Sequence, residues 1–289
     1  MNSISSYLDL VHEVVRLRDA GRKLPLGGLP IPTRFPLKQD APCVLLFSPH
    51  PDDECIVGGL ALRLLRESGW RVINVAVTQG SKRERQAGRL AELQQACEFL
   101  QFELVTTAPG GLSGINPKGR QGDLIAWNNS ADAIARLIKG WHPQVLFFPH
   151  ELDWNSTHVG THFLVADALR RLSSNYFRCH TVETEFWGQM ATPNLMVESS
   201  PGDVADLMAA CSFHKGEVQR NPYHLSQTAW MQDNVRRGGE LVGGQGCAAP
   251  DFLFATLYRL GRWENGGWRS AYEGGRALRT AEDPASLFK

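Results

Sequence analysis

The chain carries no net charge: 30 Lys and Arg balance 30 Asp and Glu among 289 residues. That balance removes any global electrostatic case for nucleic acid or an anionic membrane. No uninterrupted apolar run approaches the ~18–20 residues of a membrane span. The opening residues, MNSISSYLDLVHEVVRLRDAG, lack the basic start and long apolar core of a secretory signal. No CxxC pair occurs. Cys43, Cys55, Cys97, Cys179, Cys211 and Cys247 are scattered, so buried reduced thiols are expected rather than a disulfide framework. Internal repeats and low-complexity tracts are absent too. These absences lead to the expectation of a cytoplasmic protein with neither nucleic acid nor membrane as partner, its oligomeric state open.

What is present is an alternation. Residues 5–20 carry apolar side chains at helical spacing and meet Gly21, and a Pro- and Gly-rich connector follows at 24–37. CVLLF (43–47) is a continuous apolar run of the kind a doubly buried strand shows. Helical patterns at 58–69, 83–100, 127–140 and 158–172 then interleave with strand patterns at 71–78, 102–107, 144–149 and 179–187. Such βαβ repetition predicts an α/β fold: a Rossmann-like, mainly parallel sheet with helices on both faces. Residues 201–219 read as helical. Residues 231–289, rich in Gly, Arg and Trp, show no clear period and are expected as a C-terminal extension packed on the core. The division expected is 1–40 helix and connector, 41–230 main domain and 231–289 extension.

In an open parallel sheet ligands bind beyond the carboxyl ends of the strands. The first strand is followed there by Ser48-Pro49-His50-Pro51-Asp52-Asp53-Glu54-Cys55, one imidazole and three carboxylates within five residues. Mutual repulsion makes such a set costly unless a cation offsets it. An acidic turn with Asp52 or Asp53 capping the next helix is the plain alternative, but it leaves His50 unexplained. Cys55 adjoins this set and is expected to pack in the core. After the fourth strand comes His150-Glu151-Leu152-Asp153-Trp154-Asn155-Ser156-Thr157-His158, with His162 one turn on. His158 and His162 share a helix face. Either both bind a metal, or His158 alone reaches it while His162 packs. A site of His50, Asp53 and a later His follows, and three protein ligands plus water is the arrangement of a catalytic zinc.

These residues resemble the PIG-L/LmbE deacetylases over roughly residues 42–230. The resemblance implies zinc-dependent removal of an N-acetyl, or similar N-acyl, group from a glucosamine-containing compound on a Rossmann-like fold. It implies Zn2+ as cofactor and a small amino-sugar conjugate as partner. His50 and Asp53 become zinc ligands, Asp52 the general base, and His158 the third ligand, as the last residue of a segment usually written HPDH. Arg89, first residue of an RxxEL-like Arg89-Leu90-Ala91-Glu92-Leu93, becomes a substrate contact, its plain alternative being a solvated helix arginine. Lys215 and Tyr223-His224-Leu225-Ser226-Gln227 are similar to a late K…HxSQ segment, which makes His224 a candidate substrate contact.

The chain also departs from that pattern. Asn155 and Thr157 stand where HPDH has His and Asp, so protonation of the leaving group falls to Asp52 itself, Asp153 or His150. Gly110 stands where many relatives carry an acid facing the sugar. Glu54 is expected to orient a ligand or the backbone. The alternatives to deacetylation are a single-metal phosphoesterase and a non-catalytic sugar-binding protein. The first turn lacks GxGxxG and its acids would repel a phosphate. The eight Trp suit sugar stacking or simple core packing.

Overall fold

The computed structural model describes residues 4–34, 36–172 and 177–289; Phe35 of the connector lies outside them. In chain order the elements are α1 (Ile4–Gly21), β1 (Cys43–Ser48), α2 (Gly59–Ser68), β2 (Arg71–Ala76), α3 (Arg83–Leu100) and β3 (Glu103–Thr106). Next come α4 (Pro117–Gly122), α5 (Leu124–Trp141), β4 (Val145–Pro149), α6 (Ser156–Arg171), β5 (Cys179–Thr184) and β6 (Leu195–Glu198). The chain closes with α7 (Pro201–Cys211), α8 (Lys215–Val218), α9 (Gln227–Leu241), β7 (Ala255–Glu264), β8 (Gly267–Ser270) and β9 (Arg276–Leu278).

One sheet runs in the order β3-β2-β1-β4-β5-β7-β6-β9, with β8 paired to β7. Every pairing from β3 to β5 is parallel, while β7 runs antiparallel to both β5 and β6. The expected α/β fold is therefore present. β1 shows why its sequence is continuously apolar. Val44 and Leu46 enter a core shared with α2, α3 and α7, whereas Leu45 and Phe47 enter one shared with α5 and α6. Period-two alternation sends each side chain to one of two cores, so no position is left to be polar.

The order reverses at β1, whose continuation pairs on one side as β2 while β4 returns on the other. That switch opens a crevice at the carboxyl ends of β1 and β4. The turn after each strand faces it: residues 49–58 after β1, and residues 150–155 after β4. α6 begins at the crevice, its N-cap Asn155 accepting from the Thr157 N–H. Gly160 lets α6 lie against residues 115–116, because a Cβ there would stand 2.5 Å from their backbone.

Two regions differ from the sequence pattern. The helical stretch 201–219 is broken into α7 and α8, and the break places His214 in the interior, bonded to Glu54. Residues 231–289 supply three strands to the sheet rather than a layer upon it. The fully buried Arg63 on α2 ties them down by donating to the carbonyls of Arg279, Thr280 and Glu282. α1 is the helix its spacing predicts, but it buries no residue.

Candidate metal centre and active-site cavity

The turn after β1 is tight because its acids serve its own backbone. Asp53 accepts from the His50 N–H (2.8 Å), and Glu54 accepts from the Asp52 N–H (3.0 Å). Asp52 is held at φ 118°, a left-handed value uncommon outside glycine, so its position is fixed by these bonds against local strain. Beneath it Glu54 accepts from His214 Nε2 (2.6 Å) and from the Cys55 thiol (3.0 Å). Glu54 thus orients backbone, and Cys55 points inward with no exposed surface.

Three donor atoms converge above the turn. His158 Nε2 lies 3.3 Å from both His50 Nδ1 and Asp53 Oδ2, and His50 Nδ1 lies 3.5 Å from the same carboxylate oxygen. Metal bonds of ~2.0–2.1 Å in a tetrahedron put ligand atoms about 3.3–3.4 Å apart, so the spacing fits one small divalent ion. Burial would raise the Asp53 pKa, but the imidazoles of His158 and His50 outweigh it and hold the group ionised. Burial also opposes charge on His158, and Asp53 overcomes it to raise that pKa. Asp153 sits behind His158, its Oδ1 3.6 Å from Nδ1. It is itself held by the N–H groups of Asn155, Trp187 and Gly188.

Asp52 faces the cavity beside this cluster without joining it. Burial, followed by repulsion from Asp53, raises its pKa to about 6 against the pull of His214 and Arg89. Its Oδ2 accepts a 2.5 Å hydrogen bond from the Tyr223 hydroxyl. Arg89 donates to the Pro51 carbonyl (2.8 Å) and stands 3.8 Å from Asp52. Gly80 gives it room: a Cβ there would meet the guanidinium at 2.6 Å. The cavity, about 330 Å³, also has Gln79, Lys82, Arg85, Asn155, Trp187, Glu217 and Arg220 in its walls.

The other residues singled out from sequence go elsewhere. His162 turns away from His50: its Nδ1 donates to the Pro149 carbonyl (3.0 Å), and the ring faces Glu151, Glu183 and Arg259. His150 is closed off as a proton donor, with Nε2 on the Gly188 carbonyl and Nδ1 accepting from the Leu152 N–H. Asp153 is committed to three backbone groups. Of the three candidates for that task, only Asp52 faces the cavity. His224 is buried and lines no part of the cavity, nor does Gly110. Sequence reasoning missed Tyr223, one residue before the histidine it selected. It also passed over Gln79 and the His214–Glu54 pair.

Residues 45–169 match the model of the family described as PIG-L: GlcNAc-PI de-N-acetylase. No curated protein matches the chain in sequence. Among solved structures, the conserved protein TT1542 from Thermus thermophilus is similar at 18% identity and TM-score 0.56, over 74% of this chain and 92% of that one. The N,N'-diacetylchitobiose deacetylase from Pyrococcus horikoshii is similar at 16% identity and TM-score 0.53, over 77% and 84%. GalB, the 4-carboxy-2-hydroxymuconate hydratase from Pseudomonas putida KT2440, is similar at 14% identity and TM-score 0.54, over 76% and 95%. At these identities the likeness is one of fold, and a hydratase shares it with a deacetylase.

Proposed function

We propose, from the premise that residues 45–169 match the PIG-L family, that the chain is a zinc-dependent hydrolase. It removes an N-acetyl group from a glucosamine-containing conjugate. The observation that carries this reading is the convergence of His50, Asp53 and His158 beside a further carboxylate, Asp52, which stands outside the cluster and faces the cavity. His50, Asp53 and His158 would hold the ion. Bound there, a zinc ion supplies Lewis acidity, polarising the acyl carbonyl and making water a nucleophile near neutral pH.

The chain's own residues do the rest. Asp52 removes a proton from the attacking water, a role suited to a carboxylate that faces the cavity beside the metal ligands. Tyr223 donates to one Asp52 oxygen and leaves the other free for that proton. Once the amide carbon is tetrahedral, Asp52 returns the proton to the leaving nitrogen, since Asn155 has no proton of suitable acidity to give. Asp153 keeps the His158 ring in place, and Glu54 keeps the Asp52 backbone in its left-handed turn. Arg89 and Asn155 face the cavity, where they contact the sugar.

A two-ion phosphoesterase requires a second ion bridged to the first. The neighbouring acids Glu151 and Glu183 are instead paired with Arg259. The test is release of free amine from a panel of N-acetylglucosamine conjugates by zinc-loaded protein, with loss on chelation and recovery on adding zinc back. Release of phosphate without amine, hydration of an alkene, or sugar binding without turnover would each overturn the reading.

A further inference from the structure

We propose that α1 pairs antiparallel with α1 of a second copy of this chain, making the protein a dimer. Residues 4–20 are all exposed, and the helix buries no residue. Eight large apolar side chains, from Ile4 to Leu17, are each more than half exposed. At about 100° per residue all eight fall within an arc of about 180°, and the opposite arc holds Asp9, Glu13, Arg16 and Asp19. Together the eight present about 800 Å² of apolar surface, where the largest patch on a monomer is about 300–600 Å². A standard interface takes about 800 Å² from each partner. Helices in proteins owe most of their stability to a packed apolar face, and Val11, Val14 and Val15 are weak helix formers. The body of the chain leaves this face open; α1 meets it at its end, where Gly21 lies against Leu225. α1 also lies outside residues 45–169, the part that matches the family.

Charge decides what covers the face. Helices that lie on anionic membranes are rich in Lys and Arg on the polar side. Here that side carries Asp9, Glu13 and Asp19 against Arg16. Arg18 falls instead at the middle of the apolar arc, the one charged residue within it. Parallel pairing would set the two Arg18 side chains against each other. Antiparallel pairing about a two-fold axis between residues 12 and 13 separates them. It sets each Arg18 against Tyr7 of the other copy, a guanidinium over an aromatic face. The same axis pairs Leu8 with Leu17 and Val11 with Val14, so the face is complementary to itself. The opposed helix dipoles add to this. Such an isologous contact closes at two copies.

Sedimentation velocity of the full chain between about 1 and about 100 μM tests this, with a dimer of Kd about 1–10 μM expected. Val11→Glu/Val14→Glu should weaken it about a hundredfold or more and leave a folded monomer, since α1 buries no residue. Glu13→Gln, on the opposite face, should leave the Kd within about threefold of the wild type. Orientation is read by cysteine cross-linking in a Cys247→Ser background, the other cysteines being buried. A mixture of Leu8→Cys and Leu17→Cys chains, oxidised with diamide, should give a disulfide-linked dimer that neither chain forms alone. A wild type still monomeric at about 100 μM would overturn the proposal, whether or not it binds anionic vesicles. So would a dimer that persists in the Val11/Val14 double variant, since its contact would then lie elsewhere. Cross-linking of either chain alone, or of none, would overturn the antiparallel pairing.

Discussion

Two clusters at the same rim draw on the same two residue types, imidazole and carboxylate, in opposite proportion. His50, Asp53 and His158 form one; Glu151, His162 and Glu183 form the other, and the donor atoms of each lie within 4.8 Å of one another. The difference is the company each keeps. In the second, Arg259 binds both carboxylates, and His162 commits Nδ1 to a carbonyl. Burial, helped by the Arg259 charge, lowers the His162 pKa to about 4. Burial, only partly offset by Arg259, raises Glu183 to about 7. The first cluster has no guanidinium on Asp53, and its imidazole nitrogens point at each other. Residue types alone therefore do not define a metal site; what matters is whether the protein already supplies the cation.

The largest effect expected concerns the carboxylate beside the first cluster. Asp52→Asn should keep the metal and lose about 10²–10⁴-fold in kcat, read by amine release together with elemental analysis. Unchanged turnover would remove Asp52 from the chemistry. Tyr223→Phe should cost less, about tenfold to a hundredfold in kcat, with metal content unchanged. Removing the internal cation should make the clusters alike: Arg259→Ala is expected to take up a second zinc, with lower affinity than the first, in a metal titration. A single equivalent in that variant would mean that Arg259 is not what separates them.

The smallest effect is on stability against pH. Glu183 has a raised folded-state pKa, so its contribution is complete below about 4.5 and is lost as pH rises through about 7. His162 acts in the opposite sense, its contribution present above about 6.5 and lost as pH falls through about 4. In urea unfolding of metal-free protein, Glu183→Gln should lose less stability than the wild type between pH 5 and pH 8. An identical pH dependence would show that Glu183 ionises freely.

How much was legible in the sequence follows the same physics. β1 and β4 were readable because central parallel strands are apolar on both faces. His50, Asp52 and Asp53 were readable because they are contiguous. Which of His158 and His162 approaches them depends on how α6 is rotated, and helical spacing permits either. β7 escaped notice because it combines buried apolar residues with Arg259 at the rim, giving neither alternation nor a continuous apolar run. Tyr223 sits in a four-residue helical turn with no period to read, and it meets Asp52 only because α7 and α8 bring it there. Contacts between residues 171 positions apart leave no local mark.

On the function proposed, one ion is held by His50, Asp53 and His158. Zinc content per chain, measured by elemental analysis after dialysis against trace zinc, tests it in two variants of the same helix. Near-complete loss of zinc is expected in His158→Ala, and one equivalent retained in His162→Ala. Retention in the first with loss in the second would contradict it.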